Sequence, residues 1–202
     1  KDMNNLTSQT ELFLEFYREQ TIGITGTKGK STTSSLLYHV LHSTGRDCLL
    51  VGNIGIPVFD ALESIGEGTL VVFELSSHQL EYVTHSPHIG LHLNLYQDHL
   101  DHYGTFEKYA IAKANIYKYQ QKGDLLVYNK KFLDPVKHGK ADMITISNTL
   151  DDADAVIKEH CICYKNDEII ISDEDLLLKG QHTIYNIAAV YCIANYLGVG
   201  KE

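Results

Sequence analysis

Residues Thr25 to Thr33 read TGTKGKSTT and follow the apolar run TIGI, so a glycine-rich turn stands between a strand-like segment and a helix-like one. That order leaves backbone N–H groups free at the start of the helix, where they and the helix dipole attract an anion. Gly26, Thr27, Lys28 and Gly29 form the loop, Lys30 can reach outer phosphates, and Ser31, followed by Thr32, offers a hydroxyl to Mg²⁺. The strict pattern GxxxxGK[ST] is not met, because Ile24 occupies the place of its first glycine. A plain glycine turn capped by Ser31 is the competing account.

Two further features share that chemistry. Glu74 ends the apolar run TLVVFE, and open α/β sheets bind ligands at the carboxyl ends of their strands, where a carboxylate can hold Mg²⁺ directly or through water. In the segment 94–117, NLYQDHLDHYGTFEKYAIAKANIY, the residues Phe106, Tyr109, Ala110, Ile116 and Tyr117 make an apolar helical stripe, and Lys113 falls on it. A lysine so placed must snorkel, pair with an acid, lose its proton or be chemically modified. Upstream, Asp98, His99, Asp101 and His102 lie in a loop after a strand. Histidines at 78, 85, 88, 92, 99 and 102 raise a zinc or binuclear hydrolase, yet His92, Asn94 and Asp98-His99 do not reproduce HxHxDH, and HExxH is absent. His99 is the one histidine kept as a candidate ligand; the rest read as surface or supporting residues.

The elements that must position these groups alternate between strand and helix, which predicts a mostly parallel sheet flanked by helices. The strands expected are 21–25, 48–52, 69–75, 89–95, 124–128 and 143–147. Helices are expected at Lys30 to His42, Pro57 to Ser64, Thr105 to Tyr119, near 130–138, and Thr183 to Leu197. CICYKNDEIIIS carries a hairpin signal at Asn166-Asp167, so a small antiparallel β patch is expected near 160–180, with Cys161 and Cys163 on one strand face. Residues 1–20 read as a linker or lead-in helix.

Composition narrows the partners. With 26 acidic residues against 17 basic, a net charge of −9 and no Lys/Arg block, a nucleic-acid backbone is excluded as a partner. No apolar run approaches the roughly 20 residues of a membrane span. Four cysteines without a CxxC suit a reducing compartment, and with no signal peptide in view the expected place is the cytoplasm.

Taken together these motifs resemble the Mur ligase family, ATP-dependent amide-forming enzymes of peptidoglycan precursor synthesis. TGTKGKST fits the family's short loop TGTxGK[ST], and GNIG (52–55), ELSSHQLE (74–81), the DHLDHYGTFEKY…AK block (98–113) and KGQHTIYNIAA (179–189) follow in family order. The resemblance spans nearly all of residues 7–198. GNIG, ELSS.QLE, KGQH and the lead-in SQTELF look most like the D-glutamate-adding branch, while SSH and DHLDHYGT are also at home in the branch that adds a diamino acid.

The resemblance implies a P-loop NTPase-like central domain over 21–198, with the family's N-terminal UDP-binding and C-terminal domains absent from this chain. It implies ATP and two Mg²⁺ ions, an acyl phosphate intermediate, a UDP-linked muramoyl substrate and an amino acid as partners, and a monomer. By position, Lys30 meets the β/γ-phosphates, Gly26 and Gly29 give N–H groups, Ser31 and Glu74 hold one Mg²⁺, and His99 a second. Asn53 lies near the γ-phosphate, Lys113 matches a carbamylated lysine that ligates metal, and His182 and Asn186 line the adenine. Thr183 stands where the D-glutamate-adding branch usually has Asn, and suits a helix N-cap. A non-catalytic nucleotide-binding module is the remaining alternative. The segment alone is expected to bind nucleotide weakly and not to ligate.

Overall fold

The computed structural model describes residues 7–133, 140–149, 152–159, 161–172 and 181–200. Its strands are β1 (Thr21–Thr25), β2 (Cys48–Gly52), β3 (Leu70–Glu74), β4 (Ile89–His92), β5 (Leu125–Asn129), β6 (Asp142–Ser147), β7 (Ala155–Lys158), β8 (Cys161–Tyr164) and β9 (Asp167–Ile170). They form one nine-stranded sheet in the order β2-β3-β1-β4-β5-β6-β7-β8-β9. Pairing is parallel from β2 across to β7 and antiparallel in β7-β8-β9, so the expected α/β class and antiparallel patch are both present. The central strands β1 and β5 are buried at every position, as strands covered by helices on both faces must be.

Six α-helices fall among the described residues: α1 (Gln9–Tyr17), α2 (Lys30–Ser43), α3 (Ser77–Leu80), α4 (Leu100–Tyr103), α5 (Phe106–Ala114) and α6 (Gln181–Tyr196). Strand alternation sorts the core into two layers. Ile22 and Ile24 of β1 share a cluster with Leu37 and Leu41 of α2 and with Ala188, Cys192 and Ile193 of α6. On the other face Val71 and Phe73 pack with Phe13 and Leu14 of α1, Leu80 of α3 and Ile116.

On that second face glycine sets the distance of α5. A Cβ on Gly23 would lie 2.7 Å from Pro87 Cγ and 2.8 Å from Ile116 Cδ1, so the segment after α5 rests directly on the backbone of β1. Lys113, one turn before Ile116, is thereby carried to the end of the same strand. Gly23→Ala is expected to overpack this contact, at a cost of roughly 1–3 kcal/mol. Thermal unfolding should show a drop of about 2–4 °C per kcal/mol for a domain of this size.

Several expected elements differ in detail. Pro57 to Ser64 is a string of turns ending in a 3₁₀ segment, Leu62–Ser64. Its amides of Asp60 and Ser64 bond back three residues, and its start is tied to β2 through the bridge between Val51 and Ile56. The helix expected from Thr105 is capped by the Thr105 side chain but closes at Ala114, where the Asn115 N–H bonds back to the Ala112 carbonyl and its side-chain amide donates to the carbonyls of Leu80 and Glu81. Phe106 is 41% exposed, whereas Lys113 is buried at 1%. β3 and β4 are shorter than expected, and β7 was not foreseen. The hairpin turns at Lys165-Asn166, one residue before the expected place. Lys130 to Phe132 form a turn, and the rest of the helix expected near 130–138 lies outside the described residues. α6 begins at Gln181, so Thr183 sits inside its first turn and does not cap it.

Candidate functional site

β1 is the strand from which the chain turns to one side through α2 to β2, and β4 lies on its other side. Ligand crevices of open α/β sheets lie at such reversals, outside the carboxyl ends of the strands. Register alone delivers the expected Glu74 there, paired with Ile24, together with Thr25 and His92, which pair with each other. The capping box between Ser76 and Gln79 turns the chain into α3 right after Glu74.

The loop between β1 and α2 is held from outside. Asn94 accepts from the Lys28 N–H (2.9 Å) and donates to the Lys28 carbonyl (2.9 Å), while its own carbonyl takes the Thr27 N–H. The Thr27 hydroxyl accepts from the Tyr96 N–H and meets the Tyr109 hydroxyl at 3.0 Å. Thr27 and Lys28 therefore spend their amides on bracing. The amides at the head of α2 precede its first internal bond, Thr33 N–H to the Gly29 carbonyl, and point toward the crevice as a helix start requires. Gly29 takes a φ of 85° to make this entry, and Ser31 lies in the first turn instead of capping it. Lys30 curls back to donate to the Gly26 and Thr27 carbonyls at 3.1 and 3.3 Å.

Glu74 is fully buried. Its Oε1 accepts from Asn53 at 3.2 Å, and its Oε2 is buried without a partner. A carboxylate oxygen so placed is costly unless a cation completes it. The donor set of Glu74, the Ser31 hydroxyl and phosphate oxygens is all oxygen, which fits Mg²⁺.

Lys113 does not snorkel. Its Nζ donates to the Gly26 carbonyl at 2.8 Å and to the Thr25 hydroxyl at 3.2 Å, and the Thr25 hydroxyl in turn donates to the Leu75 carbonyl. Burial, and next the Lys30 ammonium, lower its pKa to about 7. A neutral amine has two N–H groups, matched by these two acceptors, and its lone pair is left free. His92 lies on the same sheet face as Thr25, buried, with an unpartnered Nδ1. Burial, and next Lys113, depress its pKa to about 3, so it stays neutral.

His99 takes a left-handed conformation (φ 51°), and its half-exposed ring stands 6.0 Å from the ring of Tyr109, above the loop's brace. Among the described residues, the other histidines between 78 and 102 have partners outside the crevice, and His88 lies near both Glu19 and Asp124. His85 meets Glu11, His88 meets Asp124, His102 meets Glu81, and His78 stacks among aromatic rings. On the far side of Gly29, His182, Thr183 and Asn186 of α6 join Lys28, Thr32 and Tyr96 around a cavity of about 550 Å³. Asn186 is close enough that a Cβ on Gly29 would sit 3.1 Å from its Nδ2. A second cavity of about 230 Å³, with Asn129, Lys131, Asn148 and Tyr185 on its wall, adjoins it through His182 and Asn186.

Asn94, Tyr96, Tyr109 and Thr25 were given no role at the site from the sequence. The rule that flagged Asp98 and His99, polar residues just past a strand's carboxyl end, applies equally to Asn94 and Tyr96.

A family model described as Mur ligase middle domain matches residues 24–194. A UDP-N-acetylmuramoylalanine–D-glutamate ligase of Clostridium botulinum (strain Hall) is 37% identical over 196 residues, covering 94% of this chain and 42% of the relative. The protein of the same name from Clostridium kluyveri is 35% identical over 192 residues, covering 93% and 42%. The chain thus spans less than half the length of these curated relatives. Among solved structures, a UDP-N-acetylmuramoyl-L-alanyl-D-glutamate–2,6-diaminopimelate ligase superposes with a TM-score of 0.74 at 22% identity, covering 94% of this chain and 47% of that one. MurF ligase from Thermotoga maritima in complex with ADP gives 0.71 at 21%, covering 98% and 51%.

Proposed function

Since this chain belongs to the Mur ligase family through that family's middle domain, we propose that it is the ATP- and Mg²⁺-binding part of a ligase that adds D-glutamate to UDP-N-acetylmuramoyl-L-alanine. Relatives of that name at 37% and 35% identity support the choice of amino acid. The observation that carries the ATP chemistry is the buried Glu74 carboxylate, with one oxygen unpartnered, beside a loop whose helix start faces the same crevice. The proposal takes the acting unit as a monomer in the cytoplasm, where ATP is available.

The free amides at the head of α2 take the phosphate oxygens, and Lys30 exchanges its two loop carbonyls for the β/γ-phosphates. His182, Thr183 and Asn186 border the space for the base. The substrate carboxylate oxygen attacks the γ-phosphorus and ADP leaves. The resulting acyl phosphate is attacked at carbon by the incoming amine, which loses a proton as phosphate departs. Two anions must approach each other in the first step, so Lys30 lowers the barrier by holding positive charge where negative charge builds up. Glu74 and Ser31 would hold one Mg²⁺ and His99 and Lys113 a second, and such ions would supply further neutralisation of that charge.

Lys113 takes part as a carbamate: its nitrogen lone pair bonds to the carbon of CO₂, and one N–H proton leaves, turning an amine into a carboxylate-like ligand. Burial and the two-acceptor cradle support this, since they keep the nitrogen neutral and nucleophilic. The unpartnered Nδ1 of His92 adds a polar atom beside the modified group.

A chain carrying this segment with its flanking domains is expected to release phosphate with ATP, UDP-N-acetylmuramoyl-L-alanine and D-glutamate. Release only with a different UDP-linked substrate and a diamino acid would move the assignment to the other branch, and no release with either pair would favour a binding module. Asn94→Ala removes both side-chain clamps on Lys28. It should weaken nucleotide binding about tenfold, equivalent to ~1.4 kcal/mol, as read by calorimetry, with little change in unfolding temperature because those bonds are exposed.

A further inference from the structure

The hairpin β8-β9 closes the sheet six places from β1 in strand order. Alternation sends Ile162 and Tyr164 into the core, where Tyr164 meets Tyr191 of α6 edge-on. Cys161 and Cys163 are thereby turned to the opposite, solvent-facing side, with Glu168 of β9 directly across from Cys163. The two Sγ atoms lie 3.7 Å apart, and Cys161 Sγ is 3.4 Å from a Glu168 oxygen. All three donor atoms fall within 4.8 Å of one another.

Those separations have a chemical meaning. A tetrahedral ion with metal–sulfur bonds of about 2.3 Å and a metal–oxygen bond of about 2.1 Å needs sulfur–sulfur edges of about 3.8 Å and sulfur–oxygen edges of about 3.6 Å. The Cys161–Cys163 and Cys161–Glu168 spacings already match within a few tenths of an ångström, on a two-stranded frame that fixes them. The donors are also softer than those around Glu74: two thiols select zinc-like ions over magnesium.

We propose that Cys161, Cys163 and Glu168 form a binding site for a thiophilic divalent cation of the zinc class, with its fourth coordination position open to water or an exogenous ligand. Binding exchanges two protons for one ion: both thiols are deprotonated as two metal–sulfur bonds form, while the carboxylate keeps its charge. Lys158 of β7 pairs with Cys161 in register from the other side. The site is separate from the ATP crevice and its test does not depend on ligase activity.

The reduced, chelator-treated 202-residue chain, titrated with Cd²⁺ or Co²⁺, is expected to develop a sulfur-to-metal charge-transfer band that saturates at one equivalent. Cys161→Ser and Cys163→Ser should each abolish the stoichiometric band, and Glu168→Gln should weaken binding about tenfold, with circular dichroism confirming each fold. Cys48→Ala and Cys192→Ala, both at buried positions, should leave it intact. No band at micromolar metal, or a band that survives both serine variants, would overturn the proposal.

Discussion

Lys113→Met, made in a chain that carries the flanking domains, is expected to cut turnover about 10²–10³-fold while the KM for ATP moves only a few-fold. Methionine fills nearly the same buried volume. The change takes the nitrogen from its two acceptors, but the Gly26 carbonyl keeps its bond from Lys30 and the Thr25 hydroxyl keeps its bond to the Leu75 carbonyl. The variant should therefore fold, and its unfolding temperature should hold or rise. With ¹³C-labelled bicarbonate the parent should show a carbamate carbon resonance that the variant lacks, and full activity in the variant would make Lys113 a structural residue.

The pH dependence has a definite sign. Burial lowers Lys113 from 10.5 to about 7, so the folded chain frees the amine near neutrality while the unfolded chain keeps its proton up to about 10.5. Between those values the unfolded state binds more protons, so this lysine makes stability rise with pH. Below about 7 the ammonium persists in the fold, and both the carbamate signal and turnover should decline.

Glu74→Gln is expected to lower turnover by a similar about 10²–10³-fold, through a different route. Glutamine keeps the shape and can still accept from Asn53, but it removes the charge that stands buried with one oxygen unpartnered. Magnesium dependence of nucleotide binding, followed by calorimetry, should shift to higher concentration, and excess Mg²⁺ should recover part of the activity. Stability should stay level or increase, because an uncompensated buried carboxylate is being neutralised. A variant that loses stability and keeps its magnesium dependence would make Glu74 a packing residue.

Much of this site was legible in the order of residues. The loop, Glu74 and Lys113 announce themselves through local rules: a glycine turn before a helix, an acid ending a buried strand, a cation on an apolar stripe. Each rule works because backbone geometry, set by near neighbours, decides where the side chain points. The braces were hidden for the opposite reason. That Asn94 would clasp Lys28, or that Tyr109 would meet the Thr27 hydroxyl, depends on which strands end up adjacent, and the β2-β3-β1-β4 order is a long-range outcome. The missed β7 shows the same limit, since AVIK becomes a strand by pairing with β6 and β8. Pro57 to Ser64 erred the other way: composition suited a helix, and anchorage to β2 imposed turns.

The central place of β1 also bears on how the molecule comes together. Its neighbours β3 and β4 follow it by dozens of residues, and Lys113, which closes on Thr25, lies 88 positions down the chain. Contacts so distant in sequence are slow to form, because the intervening chain must first give up its freedom. On the ribosome, TIGIT emerges before β3 and β4 and waits with both edges bare until they appear, a period when exposed strand edges invite association with other chains. The phosphate loop is thus synthesised before the strands beside it and acquires its shape only after they arrive.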